Sequence, residues 1–206
     1  MKRLLESVEN LKKGKVRELV DSRIREFKQK GEKTINELFS ELCFCILTAN
    51  STAERCIAVQ DKIKDGFLKL KEEQLADNLK KHSCRFHTKR ASYIIEARKH
   101  LEELSKIIEQ DSQKAREWLV KNIKGIGYKE SSHFLRNIGH QNLAIIDFHI
   151  IDLLVKHNLT EKPKTLTKKE YFKLEDTLRT IATNTQLSLA ELDLYLWYME
   201  TGKVLK

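Results

Sequence analysis

The sequence is poor in residues that break helices and in residues that bind metals. Proline occurs once among 206 residues, at Pro163, which favours a helix-rich chain. The four cysteines, Cys43, Cys45, Cys56 and Cys84, stand at spacings that match no zinc or iron–sulfur pattern. We therefore expect buried free thiols, no catalytic metal and no other cofactor.

Long apolar runs are also absent. No stretch of about 18 apolar residues occurs, so the sequence predicts no transmembrane helix and no membrane partner. The first residues, Met-Lys-Arg-Leu-Leu-Glu-Ser-Val-Glu, lack the apolar core of a signal peptide. We expect a soluble, cytoplasmic protein. Fixed-period repeats and low-complexity segments are missing as well, which argues against repeat architectures.

Basic residues outnumber acidic ones. Lysine and arginine total 39 against 30 aspartates and glutamates, which gives a net charge of +9. An excess of this size favours a polyanionic partner such as nucleic acid, although a solvated lysine-rich surface produces the same balance. The charge alone does not choose between these two readings.

Nearly every segment has the apolar periodicity of a helix. Capping boxes of the form Ser/Thr-x-x-Glu at 34–37, 167–170 and 188–191 each precede such a segment and predict helix starts. Further helices are predicted near 2–13, 15–29, 52–64, 72–81, 88–109, 112–122, 128–138 and 148–157.

Only residues 143–146, Leu-Ala-Ile-Ile, compete as a β-strand. A single strand has no partner, so we interpret this run as a buried extended connector that ends at Asp147. The predicted fold is all-α.

The segment Lys124-Gly125-Ile126-Gly127 is a tight turn directly ahead of a helix that carries Lys129 in its first turn. Glycine tolerates positive φ and lets another chain approach the backbone, and a helix N-terminus offers free amide N–H groups at a positive end. Gly125 and Gly127 therefore predict a helix–hairpin–helix that binds phosphates through its backbone and does not read base sequence.

Lys129 is followed eighteen residues later by Asp147, in Ala-Ile-Ile-Asp-Phe-His. With this pair the chain resembles the helix–hairpin–helix DNA glycosylase superfamily, and in particular its lyase branch. Segments 42–50, 123–130, 192–198 and 202–206 are similar to the small archaeal-type 8-oxoguanine DNA glycosylase/AP lyases, and the similarity covers nearly the whole chain.

The chain departs from the pattern of these families at three places. No cysteine follows Cys84, which excludes the iron–sulfur branch of the superfamily. Relatives often have proline where Lys124 stands. They also often have a basic residue where Phe148 follows the aspartate, and this difference bears on how the strand beside the lesion is held.

The resemblance implies a monomeric, metal-independent enzyme that acts on double-stranded DNA containing 8-oxoguanine or abasic sites. Lys129 would attack the sugar and Asp147 would assist it, and a Schiff base would then allow β-elimination. Two alternatives remain: a glycosylase/lyase for another oxidised base, or a non-catalytic helix–hairpin–helix DNA-binding protein. In the second alternative Lys129 is a phosphate contact and Asp147 is a helix cap.

Four further residues have a functional role by resemblance and an ordinary structural alternative. Asn50 would fill the gap left by a flipped nucleotide, or it ends a helix. Phe86 would wedge against the opposite base and Trp197 would stack on the damaged one, or both belong to the core. The α-carboxylate of Lys206 would accept the N7–H that 8-oxoguanine has and guanine lacks, or Lys206 is a frayed end.

The resemblance also implies a domain layout. One helical domain would span residues 30–142 and end in the helix–hairpin–helix at about 115–138. A second would combine residues 1–29 with 143–206, and DNA would bind in the cleft between the two.

A monovalent cation is implied at the hairpin as well. In relatives such an ion is held by main-chain carbonyls and bridges to a DNA phosphate. The corresponding carbonyls here are those of Lys121, Ile123 and Ile126.

Overall fold

Helix starts follow the capping segments of the sequence. Thr34 and Ser188 each accept a hydrogen bond from the N–H of the glutamate three residues later, and each glutamate carboxylate accepts one in return. At Thr167 the hydroxyl accepts from the N–H of Glu170 at 3.3 Å. All three predicted starts are confirmed.

The computed structural model describes residues 1–49 and 51–206, so the prediction for Asn50 lies outside the described residues. The described helices are α1 Lys2–Lys12, α2 Lys15–Gly31, α3 Ile35–Thr48, α4 Ala53–Ile63, α5 Gly66–Lys69, α6 Glu72–Lys81, α7 His87–Ala97, α8 Leu101–Ile107, α9 Ser112–Asn122, α10 Tyr128–Asn137, α11 Phe148–Lys156, α12 Lys168–Asn184 and α13 Leu189–Thr201. Within these residues no strand occurs, and the all-α prediction is confirmed.

Two details differ from the predicted helices. The short helix α5 is not predicted, and the single helix expected over 88–109 is divided by a 3-10 turn at Arg98–His100. At this turn the Arg98 guanidinium donates to the carbonyls of Phe67 and Leu70, at 2.6 and 2.8 Å. The division therefore coincides with the anchoring of α5, a long-range contact that has no local sequence signal.

The buried apolar side chains form two clusters. The first extends from Leu38 to Leu143 and belongs to α3–α10 and the segments that join them. The second combines side chains of α1 and α2 with those from Ala144 onwards, in α11–α13. The chain thus passes from the first cluster to the second between Leu143 and Ala144.

Residues 143–146 are buried and have no regular secondary structure, as predicted for an extended connector. The hydroxyl of Tyr171 donates to the carbonyl of Ala144 at 2.7 Å and accepts from the N–H of Ile146 at 3.4 Å. The connector therefore meets its backbone hydrogen-bonding needs partly through a side chain.

The four cysteines are buried free thiols, as expected. Among the described residues, none of the helices combines the length and the apolar character that a membrane crossing needs.

Candidate active site

The predicted helix–hairpin–helix consists of α9, the turn at 123–127 and α10. Gly125 has φ +88°, a left-handed conformation, and a Cβ there would collide with the ring of Tyr93. Gly127 has φ −111° and ψ −162°, which any residue adopts, and a Cβ there would lie 3.7 Å from Glu130 Oε2. The turn itself needs glycine at position 125 but does not need it at position 127.

The hairpin amides are not all free, which corrects the sequence-based expectation. The N–H of Gly127 donates to Glu130 Oε2 at 3.2 Å, because glutamate at the third helical position reaches back to the cap residue. A phosphate that used this amide would have to displace the Glu130 carboxylate.

The C-terminal end of α9 is the place where the resemblance implies a cation. The helix ends at Asn122, so the carbonyl of Lys121 has no intrahelical N–H to accept from. The chain then turns back through Ile123 and Ile126, whose carbonyls belong to the same turn. A monovalent cation here stays a prediction.

Lys129 and Asp147 line one cavity of about 650 Å³. The Lys129 side chain is 24% exposed, and its Nζ lies 3.7 Å from Glu130 Oε1. Asp147 is the N-cap of α11 and accepts from the N–H of Ile150 at 3.1 Å. Asp147 therefore caps α11 and also lies in the wall of the cavity that Lys129 lines.

A buried ion pair links the hairpin to the connector that carries Asp147. Arg116 of α9 is fully buried and donates to both carboxylate oxygens of Glu175 in α12, at 2.5 and 3.0 Å. The same Glu175 accepts from the N–H of Ala144 at 3.0 Å. The Glu175 carboxylate thus bonds both to Arg116 of α9 and to the connector, and it holds the connector close to α9. This contact helps to bring Asp147 to the cavity wall that contains Lys129.

Trp197 and Lys206 also line the cavity, whereas Gly125, Gly127 and Phe86 do not. Trp197 is half-buried, so it is not simply a core residue.

Phe86 is 55% exposed and adopts φ +56°, a conformation rare for an aromatic residue, so the core alternative for it is wrong. Its ring lies 5.3 Å from the Arg85 guanidinium, and Arg85 does line the cavity. An exposed aromatic ring held in a strained conformation beside a cation is consistent with a surface that contacts a ligand.

Phe148, which follows Asp147, is 64% exposed at the cavity and lies against His149, with ring centroids 3.9 Å apart. His149 in turn makes an edge contact with Trp197 at 5.3 Å. These three rings form a continuous aromatic row along one wall of the cavity.

The charged lining residues that the sequence reasoning missed include Arg136 and Asp193. Their side chains pair at 2.5 Å across the two clusters. Burial raises the pKa of Asp193 to about 6, and the negative charge of Asp147 acts in the same direction. A signal exists in the sequence: Asp193 is a single charge in the otherwise apolar run Leu192-Asp193-Leu194.

His133, also in the wall, is buried against Phe44. Burial, reinforced by the charges of Arg136 and Lys129, lowers the pKa of His133 well below its usual value, so the imidazole is neutral near pH 7. Within the described part of the chain, no group of three or more histidine, cysteine or carboxylate side chains is arranged to hold a metal.

The all-α fold, with a hairpin between two helices and a lysine and an aspartate in one adjoining cavity, is that of the helix–hairpin–helix DNA glycosylases. The model of the 8-oxoguanine DNA glycosylase family matches residues 20–187. A relative from Methanocaldococcus jannaschii named 8-oxoguanine DNA glycosylase/AP lyase is 50% identical over 98% of this chain and 99% of its own length. The chain belongs to the 8-oxoguanine DNA glycosylase family.

Solved structures agree. The crystal structure of the Methanocaldococcus jannaschii 8-oxoguanine glycosylase/lyase in complex with a 15-mer DNA containing 8-oxoguanine has a TM-score of 0.96 and 49% identity, and the match covers 99% of this chain and 100% of that one. The Thermotoga maritima 8-oxoguanine DNA glycosylase has a TM-score of 0.95 and 44% identity, with 100% and 99% of the two chains covered.

Proposed function

We propose that this protein is a bifunctional DNA repair enzyme that excises 8-oxoguanine from double-stranded DNA and cleaves the resulting abasic site. The observation that carries the proposal is the placement of Lys129 and Asp147 in one cavity, next to a helix–hairpin–helix. Membership of the 8-oxoguanine DNA glycosylase family supports the choice of lesion.

The proposed reaction begins at the sugar of the flipped nucleotide. The Lys129 nitrogen bonds to C1′ through its lone pair as the C1′–N9 bond breaks and the base leaves with the bonding electrons. The Asp147 carboxylate stabilises the positive charge that develops on the sugar.

The C1′–O4′ bond of the resulting adduct then breaks, a proton passes from Nζ to O4′, and a Schiff base forms between Nζ and C1′. The C2′ proton is then acidic, and its loss expels the 3′ phosphate by β-elimination. One lysine thus accounts for both activities.

Base recognition is proposed for the same cavity. Trp197 would stack on the flipped base, and a main-chain oxygen of Lys206 would accept the N7–H of 8-oxoguanine. Phe86 would wedge into the duplex beside the opposite base, and Asn50 would fill the gap in the stack. Flipping costs a few kcal/mol, which these contacts and the phosphate contacts must offset.

The domain layout is proposed on the two apolar clusters. Residues 30–142 would form one domain and residues 1–29 with 143–206 the other, with DNA in the cleft between them. A monomeric state and a cytoplasmic location stay predictions.

Borohydride trapping tests the function. Oligonucleotides that each contain one lesion would be incubated with the protein and borohydride, which reduces a Schiff base to a stable amine. The proposal requires that 8-oxoguanine DNA is trapped in preference to DNA with other oxidised bases. Trapping of oxidised pyrimidines alone would change the substrate, and no trapping with any lesion or abasic site would favour the non-catalytic alternative.

Substitution of Gly127 by valine is expected to weaken binding of lesion DNA and undamaged DNA alike. The protein itself accommodates a Cβ at this position, so the added side chain would act on the approach of a phosphate to the backbone. Fluorescence anisotropy at several salt concentrations would measure both affinities, which we expect to fall steeply with salt.

Gly14→Val is the matched control. Gly14 is also a helix N-cap, with φ −118° and ψ −170°, so valine imposes a similar cost on its helix. It does not line the cavity. Equal losses of DNA affinity in the two variants, or a loss at Gly127 that is confined to lesion DNA, would contradict the phosphate role.

Deletion of residues 205 and 206 is expected to reduce 8-oxoguanine excision roughly 5- to 150-fold, because the N7–H would lose its acceptor in a dry pocket, at a cost of about 1–3 kcal/mol. Cleavage of a preformed abasic site needs no base recognition and should persist. Val204 packs on the second cluster and is left in place. Single-turnover rates of both reactions would be measured on one preparation, and the melting temperatures of the truncated and full-length proteins would be compared. If the truncated protein excises 8-oxoguanine at the full-length rate, the lesion is recognised elsewhere.

A further inference from the structure

A buried carboxylate lies next to the cavity without lining it. Glu41 is only 1% exposed, on the apolar helix α3. Its Oε1 accepts from Asn137 Nδ2 at 2.7 Å, and its Oε2 accepts from Lys206 Nζ at 3.0 Å. The mechanism described above does not use this group.

The Lys206 ammonium has two further partners. Gln60 Oε1 accepts from Nζ at 2.5 Å, and the ring centroid of Phe44 lies 4.2 Å from the same nitrogen. Gln60 is itself held by the carbonyl of Ser40, to which its Nε2 donates at 2.9 Å. A carboxylate, an amide oxygen and an aromatic face on one nitrogen form a site suited to an ammonium ion. We refer to Glu41, Phe44 and Gln60 as the ammonium socket.

Burial makes this contact different from an ordinary surface ion pair. A carboxylate with 1% exposure is costly unless it is paired and hydrogen-bonded, and Lys206 supplies the only cation that pairs with Glu41 among the described residues. The neighbouring pair, Lys203 with Glu54 at 2.9 Å, is more than half exposed on both sides. Such exposed pairs contribute little.

The socket also joins parts of the molecule that are distant in the chain. Its side chains belong to α3 and α4, which pack in the first apolar cluster. Lys206 follows α13, whose apolar side chains pack in the second cluster. Leu205 and Lys206 also line the cavity that contains Lys129 and Asp147. Lys206 is therefore bonded across the two clusters.

We propose that the ammonium socket positions residues 205–206 for recognition of the flipped base, so that Glu41, Gln60 and Phe44 are positioning residues for lesion choice. The side chain of Lys206 is the anchor, and its main chain, which hydrogen-bonds with His133 in the cavity wall, is the part that would meet the base. This inference rests on the proposed function and adds residues that act through Lys206 without touching the DNA.

Glu41→Gln is the principal test. Glutamine keeps the size of the side chain but removes the charge that holds Nζ, so residues 205–206 would shift, and a shift of about 1 Å can cost on the order of a hundredfold in rate. We expect single-turnover excision of 8-oxoguanine to fall by roughly 10- to 100-fold. Cleavage of a preformed abasic site should continue near the wild-type rate, because it needs no base recognition.

Glu102→Gln is the matched control, since it removes the carboxylate from the exposed pair with Lys106 and Glu102 does not line the cavity. We expect wild-type excision from this variant. Lys206→Met removes the ammonium and should reduce excision as Glu41→Gln does. If the two residues act through one contact, the double variant should be no slower than the slower single variant. Lys206→Met also serves as the test if Glu41→Gln fails to fold.

The outcomes separate this inference from the function on which it rests. Wild-type protein that cleaves abasic sites but excises no 8-oxoguanine would overturn the proposed function, and this inference with it. If Glu41→Gln or Lys206→Met excises 8-oxoguanine at the wild-type rate, the positioning role of the ammonium socket is contradicted and the proposed function stands. Parallel loss of excision and abasic-site cleavage with a lowered melting temperature would reduce Glu41 to a structural residue. Additive losses in the double variant would likewise contradict a shared contact.

Discussion

Substitution of Lys129 by glutamine is expected to abolish both borohydride trapping and strand cleavage, because no amine remains to form the Schiff base. Glutamine retains much of the length and polarity of the side chain, which is only 24% exposed. Binding of lesion DNA should therefore stay within about tenfold of wild type, or roughly 1.4 kcal/mol. Gel analysis of trapped complexes and a binding titration on the same preparation would measure the two effects.

Lys124→Gln is the control for this substitution. Lys124 belongs to the same hairpin, but its side chain is 63% exposed and pairs with Glu96 at 2.8 Å. Removal of its charge should weaken DNA binding at most, while trapping continues. Normal cleavage by Lys129→Gln would exclude Lys129 as the nucleophile and would revive its interpretation as a phosphate contact.

Substitution of Asp147 by asparagine is expected to slow base release at least about a hundredfold while DNA binding is preserved, because the positive charge on the sugar loses its carboxylate. The structure makes this a clean test. Asp147 caps α11 by accepting from the N–H of Ile150, and asparagine caps helices about as well as aspartate. Single-turnover release of 8-oxoguanine would be measured with the melting temperature.

Asp111→Asn is the matched control for Asp147. Asp111 is the N-cap of α9, where its side chain accepts from the N–H groups of Gln113 and Lys114, and it does not line the cavity. This variant should keep the wild-type rate. If Asp147→Asn also releases 8-oxoguanine at the wild-type rate, Asp147 is only a helix cap.

The aromatic row of Phe148, His149 and Trp197 adds a feature that the catalytic pair does not explain. Phe148 is the most exposed of the large apolar side chains in the described residues, and it stands at the cavity directly after Asp147. An exposed ring there offers a stacking surface.

Apart from α5 and the division at Arg98–His100, the sequence by itself determined the helices and the hairpin, because their signals are local. A capping box acts within four residues, and the Gly-x-Gly turn acts through the conformation of Gly125 alone, at φ +88°. Lys129 and Asp147 were assigned roles through the resemblance to the DNA glycosylases, which rests on this pair and on several longer segments of the chain.

Only the tertiary structure decided how these parts come together. Glu175 bonds to Arg116, 59 positions away, and Glu41 bonds to Lys206, 165 positions away. Contacts of this kind depend on which helix faces meet, and no periodicity or cap in the sequence encodes that. Two further contacts are seen only in the tertiary structure: Glu130 accepts from the Gly127 N–H, and Asp193 pairs with Arg136. Each depends on side-chain geometry and burial.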